Sequence, residues 1–75
     1  RAPMSPDRLA MMANQIATAL RHKGDGAPEA TAAHINDFWE PRMRRDLLEM
    51  IAAGDTRLSA TVRDAGDHIR PASAA

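Results

Sequence analysis

The sequence predicts an all-α fold, a small bundle of three to four helices. Three observations predict it. Apolar residues recur at helical spacing in successive runs. Helix punctuation brackets those runs, with Ser5–Pro6 and Pro41 as openings and Gly24 and Gly54 as stops. β-branched and aromatic residues are few and never alternate with polar ones, so no strand is indicated. At 75 residues the chain is expected to be one small domain, 1–75, with flexible tails at 1–4 and 71–75.

The first helix is expected near 6–22. Ser5 is its N-cap, Pro6 its first residue, and Asp7 complements the positive end of the dipole. Met4 and Leu9 are placed for a hydrophobic staple. Leu9, Met12, Ala13, Ile16 and Leu20 share one face, and the cations Arg21, His22 and Lys23 suit the C-terminal end before Gly24. "GDGAP" reads as a turn.

A second helix is expected near 28–39, with Thr31, Ile35 and Phe38 on its inner face. Pro41 forces a break and opens a third helix, near 41–53, with Glu40 as a weaker cap than Asp. Met43, Leu47, Met50 and Ile51 form its apolar face, with Leu48 at the edge, and Gly54 stops it. Leu58 and Ser59 open a short fourth helix near 60–69 that carries Val62, Ala65 and Ile69 and ends before Pro71.

Composition narrows the function. Ten basic and ten acidic residues cancel, so no whole-chain field draws in nucleic acid or an anionic membrane. No apolar run approaches the length of a membrane span. The chain has no Cys, which rules out disulfides and thiolate metal sites and suits a reducing compartment. It opens on Arg1 instead of Met, which leaves its natural start open. Of the hydrophobic residues, sixteen are alanine, so the core is thin for its length. A scaffold this small needs a staple. With no Cys, the expected staple is another protein chain.

No catalytic, cofactor-binding or metal-ligating residue is indicated. His22, His34 and His68 share no ligand spacing, and "GDG" is too short to cradle a phosphate. His34 is expected to flank the core beside Phe38.

The residues that stand out are "NDFWEPRMRR", where the only Phe and the only Trp meet three arginines. Phe38 is expected to point into the bundle. Trp39 lies about 100° further round the helix, at the bundle's edge. Arg42 with Asp46, and Arg45 with Glu49, have the spacing of solvated ion pairs. Arg44 falls inside the apolar arc of the third helix, in its first turn, where the dipole disfavours a cation. Trp and Arg together have the makeup of an interface hot spot. Trp39, Pro41, Arg42 and Arg44 are therefore the first candidate partner surface. The second is the back of the first helix, where Ala10, Asn14 and Ala17, with Thr18 and Arg21, would let another helix come close.

"MSPDRLAMMANQIA", residues 4 to 17, and "HINDFWEPRMRRDL", residues 34 to 47, carry a resemblance. Their order and separation are similar to those in the delta subunit of bacterial NAD-dependent, molybdenum-containing formate dehydrogenases. That family has a Met-Ala-Asn-Gln-Ile stretch followed by a His-[Ile/Leu]-x-x-Phe-Trp-Asp-Pro-Arg-Met-Arg stretch. The resemblance covers residues 4 to about 54 and departs at Glu40, where the family has Asp. It implies a cytoplasmic complex in which a large alpha subunit oxidises formate. Molybdopterin, iron–sulfur clusters and FMN would then sit in partner subunits, with none in this chain. It implies an accessory, non-catalytic subunit that contacts the larger subunits, above all the catalytic alpha subunit, stabilising the complex or helping molybdenum-cofactor insertion. Two other readings stand beside it: a maturation chaperone not retained in the enzyme, and a nucleic-acid-binding or regulatory module using Arg42, Arg44 and Arg45.

Overall fold

The computed structural model describes residues 4–71. Four α-helices follow one another: α1 (Pro6–Ala19), α2 (Ala27–Phe38), α3 (Pro41–Ala52) and α4 (Ala60–Ala65). Two 3-10 stretches, Arg21–Gly26 and Gly66–His68, complete the order, and no strand occurs among the described residues. No helix among the described residues is long and apolar enough to cross a membrane.

Local chemistry places most boundaries. Ser5 caps α1, its Oγ accepting from the Arg8 N–H at 3.2 Å. α1 stops at Leu20, earlier than expected, and "RHKGDG" winds into a 3-10 helix where a simple turn was expected. That stretch is two short turns joined at a kink, where Gly24 takes φ 58, ψ −124, a backbone conformation open to glycine. Arg21 Nη1 donates to the Thr18 carbonyl at 3.0 Å, covering one of the open carbonyls at the end of α1. α3 closes in a Schellman motif. Gly54 (φ 70) donates to Ile51 and Asp55 to Met50, both at 3.0 Å. Glu40 occupies the N-cap position of α3, but its side chain makes no capping bond. Ser59 does cap α4, accepting from the Val62 N–H at 3.3 Å.

α2 lies against both α1 and α4, while α3 packs on α1. Ile35, Leu47, Val62 and Thr31 are the largest fully buried side chains. Around them sit Ala10, Ala13, Ala17, Ala32 and Ala65, whose small size lets the helices approach closely. A Cβ on Gly66 would stand 3.0 Å from Ile51 Cγ2, so the end of α4 passes tightly over α3. The last helix is shorter than expected. The chain leaves its 3-10 end at Ile69 in an extended conformation, with Ile69 buried. Residues 1–3 and 72–75 lie outside the described residues and take most of the expected tails with them. Met4 is half-buried against the core.

The Phe38–Trp39 pair corrects the helical-wheel reading. Trp39 is buried, 7% exposed, and Phe38 is 72% exposed. The helical path still reaches Trp39, its N–H donating to the Ile35 carbonyl at 2.9 Å, so it falls in the arc of α2 that carries buried Ala32 and Ile35. Trp39 is extended, with φ −91 and ψ 141, and Glu40 before Pro41 is extended too. The chain turns away only after Trp39, so the indole stays on the buried arc of α2 with Ala32 and Ile35, while the phenyl ring, on the last residue of α2, is left exposed.

Candidate functional site

The corner built by Pro41 is tied together from within. Arg44 lies in the first turn of α3, half-buried. Its Nη1 donates to the Trp39 carbonyl at 2.9 Å and its Nε to the Arg70 carbonyl at 3.0 Å. The Arg44 guanidinium is thus satisfied by backbone carbonyls of this chain. Those oxygens offset the dipole's disfavour for a cation there.

The segment that Arg44 holds is also held by α2. Asn36 Nδ2 donates to the His68 carbonyl at 3.1 Å, and its Oδ1 accepts from the Arg70 N–H at 2.8 Å. Between those two residues the Ile69 side chain is buried. Asn14 repeats the device from α1. Its Nδ2 donates to the Arg57 carbonyl at 2.8 Å and its Oδ1 accepts from the Ser59 N–H at 2.9 Å, around buried Leu58. In both cases one amide takes the carbonyl of residue i and the N–H of residue i+2. The aliphatic side chain between them is thereby fixed toward the core.

Arg57 completes the second anchor. Its guanidinium donates to Asp55 through Nε at 2.9 Å and Nη2 at 2.6 Å, and to Asp7 through Nη1 at 2.6 Å. Hydrogen bonds from the Arg57 side chain, then from its backbone N–H, hold the Asp55 carboxyl at about 2, below its ordinary 3.8. The same bonds raise the Arg57 guanidinium further above its ordinary range, Asp55 first and Asp7 second.

These contacts show where the residues of the two expected partner surfaces lie. Trp39 and Arg44 face inward or onto this chain's own backbone, whereas Pro41 and Arg42 are exposed. The expected pairs Arg42–Asp46 and Arg45–Glu49 give way to Arg45 beside the adjacent Asp46, at 3.6 Å. The small face of α1 is occupied. Ala10 and Ala17 are buried in the shared core with Leu58, Val62 and Ala65, and Asn14 grips the lead-in to α4. The helix that comes close there is the chain's own α4, which sequence reading had not positioned.

A further open surface lies beside α1 and the end of α2. Phe38 rests on His34, ring centroids 4.7 Å apart and tilted by 37°. His34 therefore does sit beside Phe38, but outside the core, exposed. It lines a recess of about 450 Å³ with Met12, Gln15, Ile16, Ala19, Leu20 and Trp39. A second recess, of about 620 Å³, lies across α1 between Met11, Thr18 and Arg57. Gln15 and Ala19 border both recesses. Met11 is 51% exposed on the same outer face. Among the described residues no group of three His, Cys, Asp or Glu side chains stands close enough to hold a metal ion.

Sequence reasoning missed Asn36, Asp55 and Arg57, and it gave Met11 no role. A signal existed for Asn36 and Asn14. Asn inside a helix competes with its own backbone and is disfavoured unless its amide has work elsewhere.

No curated protein and no solved structure matches the chain significantly. A family match does exist, and it spans residues 8–65, from the first turn of α1 to the end of α4. That span contains Asn14, Asn36, Trp39, Arg44 and Arg57, the residues that build both anchors. The family is described as NADH-dependant formate dehydrogenase delta subunit FdsD, and this chain belongs to it.

Proposed function

We propose that the chain is a non-catalytic accessory subunit of a cytoplasmic NAD-dependent, molybdenum-containing formate dehydrogenase, and that it stabilises the assembly by binding the catalytic alpha subunit. The observation that carries this reading is the family match over 8–65. The internal chemistry supports it. The notable polar side chains, Asn14, Asn36, Arg44 and Arg57, are spent on holding this chain's own backbone and carboxylates. The recess beside His34 is lined by apolar and neutral side chains, as a contact surface is. Molybdopterin, iron–sulfur clusters and FMN belong, on this reading, to the partner subunits. The chain's part is to offer a rigid surface on which a larger subunit closes.

The test removes the chain from cells that make the enzyme. The expected result is a lower yield of intact complex, restored when the chain is supplied in trans, with unchanged activity per molybdenum in the complex that does form. An equal yield of intact complex without the chain would overturn the stabilising role. A normal yield of complex that lacks molybdenum would move the function to cofactor insertion.

A further inference from the structure

From Leu9 to Leu20 the sequence contains no Asp, Glu, Lys or Arg. On the buried side of α1 that is ordinary. On the outer side it is not, because a helix face turned to water normally carries charge. Met11, Gln15 and Thr18, at i, i+4 and i+7, are all exposed, as is Ala19. Gln15 and Ala19 form a ridge with a recess on either side. Phe38 stands at the rim of one of them, stacked on His34. Charge returns at the ends of the stripe, with Asp7 and Arg8 before it and Arg21 and Lys23 after it, and at Arg57, which borders one recess. Asp7 is taken by Arg57, and Arg21 bonds the Thr18 carbonyl. Arg8 and Lys23 are exposed cations at opposite ends of a neutral strip.

We infer that this face of α1, with Phe38 and His34 beside it, receives a helix of a larger formate dehydrogenase subunit. The inference rests on the accessory-subunit reading and adds where the contact lies and what chemistry it takes. A helix fits because a ridge flanked by two recesses running beside α1 is the relief that helix packing uses, ridges into grooves. The partner helix presents small and apolar side chains along the strip, since Arg57 and Asp7 beside it are already paired and a buried charge there would find no free counter-charge. It carries carboxylates at its two ends, over Arg8 and Lys23. An apolar residue of the same subunit meets the Phe38 ring, which is 72% exposed against His34 beside the recess.

The test is competitive incorporation. Wild-type chain and a variant of different mass are co-expressed with the larger subunits, and their ratio in the purified complex is read by mass spectrometry. Gln15→Glu and Met11→Glu, each at an exposed position and each checked for an unchanged melting curve, should enter roughly tenfold less often than wild type. Phe38→Ala should be disfavoured as well. Arg63→Glu, exposed on α4, should enter equally. Lys23→Glu should lose part of its incorporation and should blunt the weakening that added salt causes. Equal incorporation of Gln15→Glu, Met11→Glu and Phe38→Ala, in a complex that does contain the wild-type chain, would overturn the site and leave the accessory role standing. A complex lacking the wild-type chain altogether would take both down. An isolated chain that dimerises in the ultracentrifuge, and becomes monomeric on Gln15→Glu, would assign the face to a second copy and overturn the inference.

Discussion

Arg44 donates to the carbonyl of Trp39 at 2.9 Å, and that bond joins the two residues most conspicuous in the sequence inside one chain. The corner at Pro41 is therefore a structural lock. α2 ends, the chain turns extended for Trp39 and Glu40, and α3 begins with Pro41. Arg44 then reaches back over the turn while also holding Arg70. Trp and Arg stand together here because the turn needs an apolar plug and a planar fork of donors at the same place.

Arg44→Ala should therefore act on folding before it acts on any partner. It strands the Trp39 carbonyl of a part-buried bond and frees the exposed Arg70 carbonyl, and hydrogen bonds to a charged donor contribute about 1.5–3 kcal/mol. In a domain of this size that lowers the melting temperature by roughly 10 °C. Arg44→Lys should recover only part of the loss, because an ammonium lacks the fork. Thermal denaturation of the three proteins decides it, and a melting temperature unchanged by Arg44→Ala would refute the lock.

Trp39→Ala and Phe38→Ala should separate cleanly. Truncating a buried Trp costs about 3–5 kcal/mol, enough to leave much of so small a domain unfolded. Phe38 contributes little burial, so Phe38→Ala should stay within about 0.5 kcal/mol of wild type in a denaturant titration. Equal destabilisation by the two would mean that the phenyl ring packs inward after all.

The two asparagines should behave as independent clamps. Each of Asn14→Ala and Asn36→Ala leaves one carbonyl and one N–H without its partner, a loss of about 1–3 kcal/mol. They share no bonding partner, so the double variant should lose the sum of the single losses. Hydrogen exchange should locate the effects separately. Asn14→Ala should speed exchange at the Ser59 amide, and Asn36→Ala at the Arg70 amide. Coupled exchange of both amides in either single variant would show one cooperative unit instead.

Acid should loosen the loop before α4. Asp55 sits at about 2 when folded, against an ordinary value of 3.8. A carboxyl with a depressed folded value contributes stability that is fully present above its unfolded value and is lost as pH falls through the folded one. The Asp55 contribution should thus be intact above about pH 4 and fade between about pH 4 and 2. Comparing urea midpoints of wild type and Asp55→Asn across that range tests the sign. The gap between them should shrink as pH falls, and a gap that widens would contradict the assignment.

The sequence carried the helices well because their signals are local. Ser5 with Pro6, Pro41, Gly54 and Ser59 mark ends that the structure respects. It misled at Phe38 and Trp39, because the buried arc of α2 runs through Ala32, Ile35 and Trp39 and leaves Phe38 exposed at the helix end. It misled again at Ala10, Asn14 and Ala17, whose small, neutral face looked free until α4 was seen to lie on it. Arg57 was illegible for a related reason. Its partners Asp7 and Asn14 lie 50 and 43 residues away, a pairing that no local periodicity encodes.

The most direct test is the intact mass of the active formate dehydrogenase, purified by a tag on its largest subunit and measured under native conditions. The account predicts that this chain is present at a fixed whole-number ratio to that subunit, and that enzyme from cells carrying Gln15→Glu is depleted of it. An active enzyme whose mass is complete without the chain would contradict the account.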